Sequence, residues 1–415
     1  MAALKGTALT LLLAVTVILR LPASTLCVGP GKPFTTVTKA LRQAQAGDVV
    51  EVYGGKVYPE RLVINVPLTL RGIGRPVIDG QGKGNVIEIK ASDVTVEGLK
   101  VVHSARSSMV DYCGLHAQGV DRLTIKDNIF RGNQFSIMLQ ESRWSEVAQN
   151  DIASDITYNP FMGNAIHCWK CTGMRIHHNN IGHNRDGIYL EFVDQSVVYK
   201  NIVRGCARYG MHFMFSHHNT YLSNRFVGNK AGVAVMYTHH VTMEDNTFAH
   251  NQGTSCYGLL IKELQFSTIR RNKFLDNTIG LLIDGGSDIK ATRNVFNGNG
   301  WGVRLVSGSS NDTLSYNNFV GNTFDIATNK SYNGNVVDAN YWDKYEGYDL
   351  NKDGRGDVPF YPLSLFSMLA EQNSSMLLFF RSFMMTLLDK AEKLLPTITP
   401  DTYVDRVPSM HPYKI

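Results

Sequence analysis

A motif built around asparagine recurs along most of the chain, and it restricts the fold more than any other feature of the sequence. Successive copies of the pattern Asn-x-(Phe/Ile/Val)-x-x-(Asn/Asp/Cys) are spaced by 22, 29, 22, 23, 22, 26, 22 and 23 residues. They begin at Asn128, Asn150, Asn179, Asn201, Asn224, Asn246, Asn272, Asn294 and Asn317. A unit of about 22 residues is too small to fold alone, so the units must stack on one another as a solenoid.

The segments between these asparagines are short, alternate apolar with polar residues, and are punctuated by Gly, Asn and Asp. They lack the period of a helix, which favours strands. We therefore predict an all-β fold, a right-handed parallel β-helix in which neighbouring coils lie about 4.8 Å apart. Asparagine repeated at one turn position can then form a ladder of side-chain amides.

The chain divides into four predicted parts. Residues 1–26 have the basic Lys5, the apolar stretch and the small residues of an export signal. Residues 27–345 form the β-helix with an N-terminal cap, residues 346–362 an Asp/Gly-rich loop, and residues 363–415 an apolar helix with a Pro-rich tail. The net charge of +5 is small and scattered, which does not indicate a nucleic-acid-binding surface.

Histidine and methionine gather at outward positions of neighbouring coils. In each predicted strand the first and third residues point inward, and the second and fourth point outward. The outward candidates are His116, Met138, His167, His212, Met214 and Met236, and the following turns add His217 and His239. Imidazole and thioether ligands together select Cu(I) over hard cations. The pattern predicts a shallow, transient Cu(I) site, with methionine packing against a partner protein as the other interpretation.

A secreted polysaccharide lyase or epimerase acting on uronic-acid polymers is the alternative function for such a fold. That chemistry needs grouped carboxylates, or a Ca²⁺ site beside a basic residue. The predicted outward positions show Glu191 and Asp194 near Arg185 and Asp186, without a pair of aspartates. We therefore predict a protein without catalytic residues.

The stretch "DLNKDGRGD" after the last coil resembles a calcium-binding loop. Asp349, Asn351, Asp353 and Asp357 stand at positions 1, 3, 5 and 9 of that pattern. Position 12 is Phe360 in place of the usual bidentate glutamate. Either a Ca²⁺ site with another ligand or a metal-free turn fits this sequence.

The next stretch, "SMLLFFRSFMMTLLDKAEKLLP", has helical spacing and an apolar side, but Arg381, Ser382 and Asp389 interrupt it. It is too short to span a bilayer and too apolar to stay in water, so we expect it to dock onto a membrane protein or the membrane surface. The docking candidates are Met376, Leu377, Phe380, Phe383, Met384, Leu387 and Leu388.

Several specific motifs follow one another in this C-terminal part: "YWDKYEGYDLNKDGRGDVPFYP", then "RSF", "LDKAEKLLP" and "DRVPSMHP". Together with the export signal and the repeat, they resemble the NosD family of periplasmic accessory proteins in nitrous-oxide reductase maturation. The resemblance implies a non-catalytic protein that associates with an ATP-binding-cassette permease and its cytoplasmic ATPase. It also implies copper supply to the reductase together with a membrane-anchored copper chaperone. No set of metal ligands is carried over from the family to residues of this chain.

Overall fold

A computed structural model describes residues 23–155, 161–306, 308–329, 334–373, 375–376, 382–394 and 402–415. The chain winds into a parallel β-helix whose coils carry strands on three faces. Two faces belong to one 25-stranded sheet, and the third is a 13-stranded sheet. All pairings between named strands are parallel, as between Cys113–Gln118 and Phe135–Gln140 and between Tyr209–Met214 and Ala231–His239. The predicted fold class is confirmed.

The first face consists of β4 (Leu62–Ile64), β7 (Ile87–Ile89), β10 (Cys113–Gln118), β13 (Phe135–Gln140), β16 (Ile166–Trp169), β19 (Asp186–Glu191), β22 (Tyr209–Met214), β25 (Ala231–His239), β28 (Tyr257–Arg270), β30 (Ile279–Asp284), β33 (Trp301–Val306) and β36 (Phe324–Thr328). The second face consists of β1 (Thr25–Val28), β2 (Val49–Tyr53), β5 (Thr69–Ile73), β8 (Thr95–Glu97), β11 (Thr124–Lys126), β14 (Glu146–Ala148), β17 (Arg175–His177), β20 (Val197–Tyr199), β23 (Thr220–Leu222), β26 (Thr242–Glu244), β31 (Ser287–Thr292), β34 (Thr313–Ser315) and β37 (Val336–Asp338). The long strand β28 continues from the first face into this one. The third face consists of β3 (Val57–Tyr58), β6 (Val77–Asp79), β9 (Lys100–Val102), β12 (Ile129–Arg131), β15 (Asp151–Ala153), β18 (Asn180–Gly182), β21 (Ile202–Arg204), β24 (Arg225–Val227), β27 (Thr247–Ala249), β29 (Lys273–Leu275), β32 (Val295–Asn297), β35 (Asn318–Val320) and β38 (Tyr341–Trp342).

The repeated asparagines form the predicted ladder between the second and third faces. Asn224 is representative: its Nδ2 donates to Asn246 Oδ1 over 3.0 Å and to the Val198 carbonyl over 2.8 Å. The residue before each asparagine of the ladder has a left-handed backbone conformation, for example Ser223 with φ 52°. Because the amides satisfy one another and the buried backbone, a polar column can run the length of an apolar core.

Aromatic side chains form a second column inside the β-helix. Rings of neighbouring coils stack with centroids 4.8 to 5.6 Å apart. The members are Phe226, Phe248, Phe274, Phe296 and Phe319, all buried. They hold repeat positions, as the sequence predicts, and the spacing equals about one strand separation, so each ring packs against the next.

Both ends of the β-helix are closed by other elements. At the start, helix α1 (Val37–Gln43) buries Val37, Ala40 and Leu41 against the first coils. At the other end Asp405, 0% exposed, accepts hydrogen bonds from the backbone N–H of Asn340 and from Trp342 Nε1. The tail thus returns to the last coil, and a carboxylate takes the place of the next asparagine rung.

The described residues of the C-terminal part include two short helices, α2 (Leu365–Gln372) and α3 (Phe383–Leu394). Phe366 of α2 stacks on Phe324 of β36 with centroids 5.9 Å apart, and Glu371 binds Arg304 of β33 at 2.6 Å. The single apolar helix expected from the sequence is not confirmed. Among the described helices, none combines the length and apolar character needed to cross a bilayer.

Candidate functional site

Strands β22 and β25 place the central histidine and methionine candidates side by side on the first face. His212 lies opposite Ala234, and Met214 lies opposite Met236. Met211 and Phe213, which alternate with them, point into the core and are buried. The four outward residues His212, Met214, Ala234 and Met236 form a square on the first face. We call this group the copper square.

His212 is the unusual member of this square, because it is polar and yet only 6% exposed. Within the described part of the chain, neither of its ring nitrogens has a hydrogen-bond partner. The rings of Tyr189 and Tyr209 pack against it, with centroids 5.1 and 4.9 Å away. Burial lowers the pKa of His212 to about 4, so the imidazole is neutral and carries a free lone pair.

A buried ion pair lies beside His212. Asp186 is fully buried and accepts a hydrogen bond from Arg208 Nε at 2.8 Å. Its Oδ2 is 4.0 Å from His212 Nδ1, too far for a hydrogen bond. The negative charge of Asp186 is thus taken up by Arg208, and His212 keeps both nitrogens available.

The two methionines are half-buried and adjacent. The thioether of Met214 lies 4.0 Å from the hydroxyl oxygen of Tyr189. Burial raises the pKa of that phenol to about 12, which keeps it a neutral neighbour. The square therefore offers one neutral imidazole and two thioethers, which is a soft set of ligands without a carboxylate.

Three other copper candidates lie on earlier strands of the first face, in register with His212, and their surroundings differ from those of the square. His116 is engaged on both sides, by Glu88 at 2.9 Å and by Gln140 at 3.0 Å. Met138 is buried in a cluster with Cys113 and Phe135. These contacts give His116 and Met138 structural roles, and their role as copper ligands stays a prediction.

His167 lies in strand β16, between Met138 and Tyr189 along the same column. Its Nδ1 is 3.5 Å from Asn164 Nδ2, and burial lowers the pKa of the imidazole to about 4. The column from Met138 to His212 is thus continuous, but a tyrosine separates His167 from the square.

Four histidines form a separate group in the turns that follow β22 and end β25. His217 stacks on His239 with centroids 3.8 Å apart, and His218 stacks on His240 at 4.9 Å. His218, His239 and His240 are the only three His, Cys, Asp or Glu side chains, among those described, whose ligand atoms all lie within 4.8 Å of one another. His218 and His240 are not among the copper candidates from the sequence, although their shared turn position was the signal that could have found them.

The Asp/Gly-rich loop directs its oxygens to its own backbone. Asp349 Oδ2 accepts from the N–H of Gly354 at 2.8 Å, and Asp353 Oδ1 accepts from Arg355 N–H at 2.8 Å. Asn351 Oδ1 and Asp357 Oδ2 accept in the same way, at 2.9 and 2.6 Å. The loop is ordered by these bonds, and the calcium assignment stays a prediction.

The docking candidates fall on two sides of the C-terminal helices. Met376 and Leu388 pack against the cluster of Phe324, Phe366 and Ala370, whereas Phe383 and Leu387 are 77% and 46% exposed. Met384 belongs to α3, and Leu377 and Phe380 lie outside the described residues. Phe383 and Leu387 are thus the candidates that the structure places at the surface.

Known proteins with a similar sequence carry one family name. Residues 153–347 match the family model described as periplasmic copper-binding protein (NosD). A probable ABC transporter binding protein NosD of Stutzerimonas stutzeri is 28% identical over 325 residues, which cover 74% of each chain. The protein of the same description in Pseudomonas aeruginosa is 26% identical and covers 74% of this chain and 75% of its own length.

Solved structures with the same fold are more distant in sequence. The A-module of a mannuronan C-5 epimerase from Azotobacter vinelandii has a TM-score of 0.52 at 14% identity and covers 73% of this chain and 86% of its own. A GH87 alpha-1,3-glucanase from Streptomyces thermodiastaticus has a TM-score of 0.54 at 12% identity, covering 74% and 66%. These structures establish the parallel β-helix alone. The sequence relatives add that this chain is similar to proteins named NosD over 74% of its length.

Proposed function

We propose that this chain is a copper-handling accessory protein of nitrous-oxide reductase maturation, and that it holds Cu(I) transiently at His212, Met214 and Met236. The observation that carries the proposal is the buried imidazole of His212, which has no hydrogen-bond partner among the described residues. A buried polar group without a partner costs about 1–3 kcal/mol of stability. A metal ion that binds the free lone pair would explain why the fold retains such a group.

The surrounding ligands favour Cu(I) over other metals. Met214 and Met236 lie in register on adjacent strands next to His212, and thioethers bind soft Cu(I) far better than hard cations. The fourth corner, Ala234, offers no ligand and is buried, whereas Met214 and Met236 are half-buried, so a donor from another protein would approach from the side of the methionines. Three protein ligands with one open side suit a site that passes its metal on.

The remaining parts of the proposal rest on the similarity of this chain to proteins named NosD. The matched family model is named for periplasmic copper binding, and the two relatives are named as ABC transporter binding proteins. We place the chain in the periplasm, attached to the membrane through an ATP-binding-cassette permease with its cytoplasmic ATPase. A membrane-anchored copper chaperone would load the square, and nitrous-oxide reductase would receive the metal. Phe383 and Leu387, both exposed, are the proposed contacts with the permease.

Competition for Cu(I) with bicinchoninate tests the copper site. The variant Met214→Leu/Met236→Leu keeps the size of both side chains while removing the thioethers, and it should bind Cu(I) at least tenfold more weakly than the wild type. The control Met109→Leu/His250→Asn changes an exposed methionine and an exposed histidine elsewhere and should leave the affinity unchanged. Equal affinities of wild type and Met214→Leu/Met236→Leu would contradict the site.

Association with the permease needs a separate test. Phe383→Ser/Leu387→Ser should reduce co-purification with the permease from detergent-solubilised membranes, with no change in Cu(I) affinity. Undiminished co-purification would remove these two side chains from the proposed contact.

A further inference from the structure

The four turn histidines are separate from the copper square and differ from it in chemistry. His217 and His218 follow β22, and His239 and His240 hold the same positions one coil later. The backbone N–H of His218 donates to the His239 carbonyl over 3.3 Å. His218 and His240 both have left-handed backbone, with φ of 56° and 54°. The register of the coils, and not a chance side-chain conformation, therefore brings the two pairs together.

Three of these imidazoles converge. His239 Nδ1 and His240 Nδ1 are 2.9 Å apart. His218, His239 and His240 each offer one ring nitrogen, and these three nitrogens lie within 4.8 Å of one another. A metal bonded to three imidazole nitrogens at about 2.0 Å requires donors roughly this close to one another. Small rotations of exposed rings would complete the geometry.

His217 has a supporting position. Its Nδ1 lies 3.3 Å from the backbone N–H of His239, which donates to it, and its ring lies flat on that of His239 with an interplanar angle of 7°. The backbone N–H of His217 in turn donates to Asp194 Oδ1 at 2.6 Å. His217 thus orients His239 and does not present Nδ1 to the converging nitrogens.

The chain contains a comparable pair that lacks the third ring. His177 and His178 also have Nδ1 atoms 2.9 Å apart, and His178 has φ 54°. The neighbouring coils, however, supply Glu146, which binds His177 Nε2 at 2.8 Å, and Tyr199, which stacks on the ring. A single histidine pair is therefore satisfied by its neighbours, whereas two stacked pairs leave three nitrogens facing one another.

We propose that His218, His239 and His240 form a second metal site, which takes a borderline divalent cation of the Cu²⁺, Ni²⁺ or Zn²⁺ class. Imidazole nitrogens suit these ions, while the group contains neither the thioethers that favour Cu(I) nor the carboxylates that favour Ca²⁺. His218 and His240 are exposed, so the ion keeps solvent ligands and can exchange. This site does not depend on the proposed Cu(I) square, which involves other residues.

Titration of the tag-free full-length protein with Ni²⁺, followed by calorimetry, tests the site. His218→Asn/His239→Asn/His240→Asn removes the three imidazoles, and asparagine tolerates the left-handed backbone at two of these positions. We expect one Ni²⁺ per wild-type chain and at least a tenfold loss of affinity in the variant. The matched control His177→Asn/His178→Asn should bind Ni²⁺ as the wild type does.

Cu²⁺ and Cu(I) distinguish this site from the square. Electron paramagnetic resonance of the Cu²⁺-loaded wild type should show coupling to imidazole nitrogens that disappears in the triple variant. Bicinchoninate competition for Cu(I) should be the same for both proteins, so a failure of one site leaves the other testable. Unchanged Ni²⁺ affinity in the triple variant, or an equal loss in the control, would overturn the proposal.

Discussion

The first face of the β-helix is used in two ways along its length. One outward column runs through His212, Ala234, Leu260, Leu282 and Arg304, each paired in register with the next. At the late end Arg304 meets Glu371 of α2 at 2.6 Å, and Phe366 covers Phe324. At the early end His212 is buried by tyrosines and has no partner among the described residues.

The two regions share one backbone architecture but differ in what covers their outward side chains. The backbone geometry is the same in both regions, because every coil repeats the same strands and turns. In the late coils the chain's own helices cover the first face and Glu371 pairs with Arg304, although Arg304 Nε and Trp301 Nε1 have no hydrogen-bond partner among the described residues. That region contributes to stability through packing and this ion pair. At the early end of the column, His212 has no hydrogen-bond partner within the described part of the chain, which costs stability and leaves a lone pair for a ligand.

The largest expected change in stability comes from removing the contact between helix α2 and the last coils of the first face. Phe366→Ala removes a fully buried ring from the contact of α2 with Phe324, and should cost about 3–4 kcal/mol of local stability. Hydrogen exchange should then accelerate in Leu365–Gln372, while Cu(I) affinity stays unchanged because the square lies on other coils. Phe383→Ala, at an exposed position of α3, is the control and should be nearly neutral. Loss of Cu(I) binding in Phe366→Ala would show that the two regions are not independent.

A second test concerns a buried group that has no proposed ligand. Burial raises the pKa of Asp312 to about 6, and its Oδ2 has no partner among the described residues. Since the folded pKa exceeds the ordinary value of 3.8, the folded state binds more protons between these values. The contribution of Asp312 to stability therefore falls as the pH rises from about 4 to about 6.

Asp312→Asn should remove this penalty while retaining the acceptor for the Ile289 N–H, which lies 3.0 Å from Oδ1. We expect the variant to be about 2–3 kcal/mol more stable than the wild type at pH 8 and equal to it below pH 4. Chemical denaturation at both pH values measures the difference. A gain that is the same at pH 4 and pH 8 would contradict the assignment.

The smallest expected change in stability is the most informative for the comparison. His212→Leu replaces an unpartnered imidazole with an apolar side chain of similar size between Tyr189 and Tyr209, and should stabilise the fold by about 1 kcal/mol. The same variant should lose tight Cu(I) binding. Thermal unfolding and bicinchoninate competition together measure both effects. A destabilised variant that still binds Cu(I) would mean that His212 is a packing residue.

The repeat predicts the fold well because each coil obeys the same local rules. The asparagine ladder, the inward Phe226 and Phe248, and the register of Met214 with Met236 all follow from the spacing of about 22 residues. Side chains that cover the face do not follow from it. The burial of His212 depends on Tyr189 of the neighbouring strand β19 and on Tyr209 of β22 itself, whose side-chain conformations the repeat does not determine.

Two further features needed the structure for a similar reason. The pair of Asp186 and Arg208 joins residues 22 positions apart, so the repeat places them on adjacent coils but does not determine that their side chains form an ion pair. The C-terminal helices have no repeat at all, so helical spacing alone did not separate Met376 and Leu388, which pack inward, from Phe383, which is exposed.

X-ray absorption at the copper edge of the Cu(I)-loaded protein tests the central claim most directly. A site made of His212, Met214 and Met236 predicts scattering from both nitrogen and sulfur bonded to copper, with the sulfur contribution lost in Met214→Leu/Met236→Leu. Scattering from nitrogen alone in the wild type, unchanged in that variant, would place copper elsewhere and contradict the proposed function of the square.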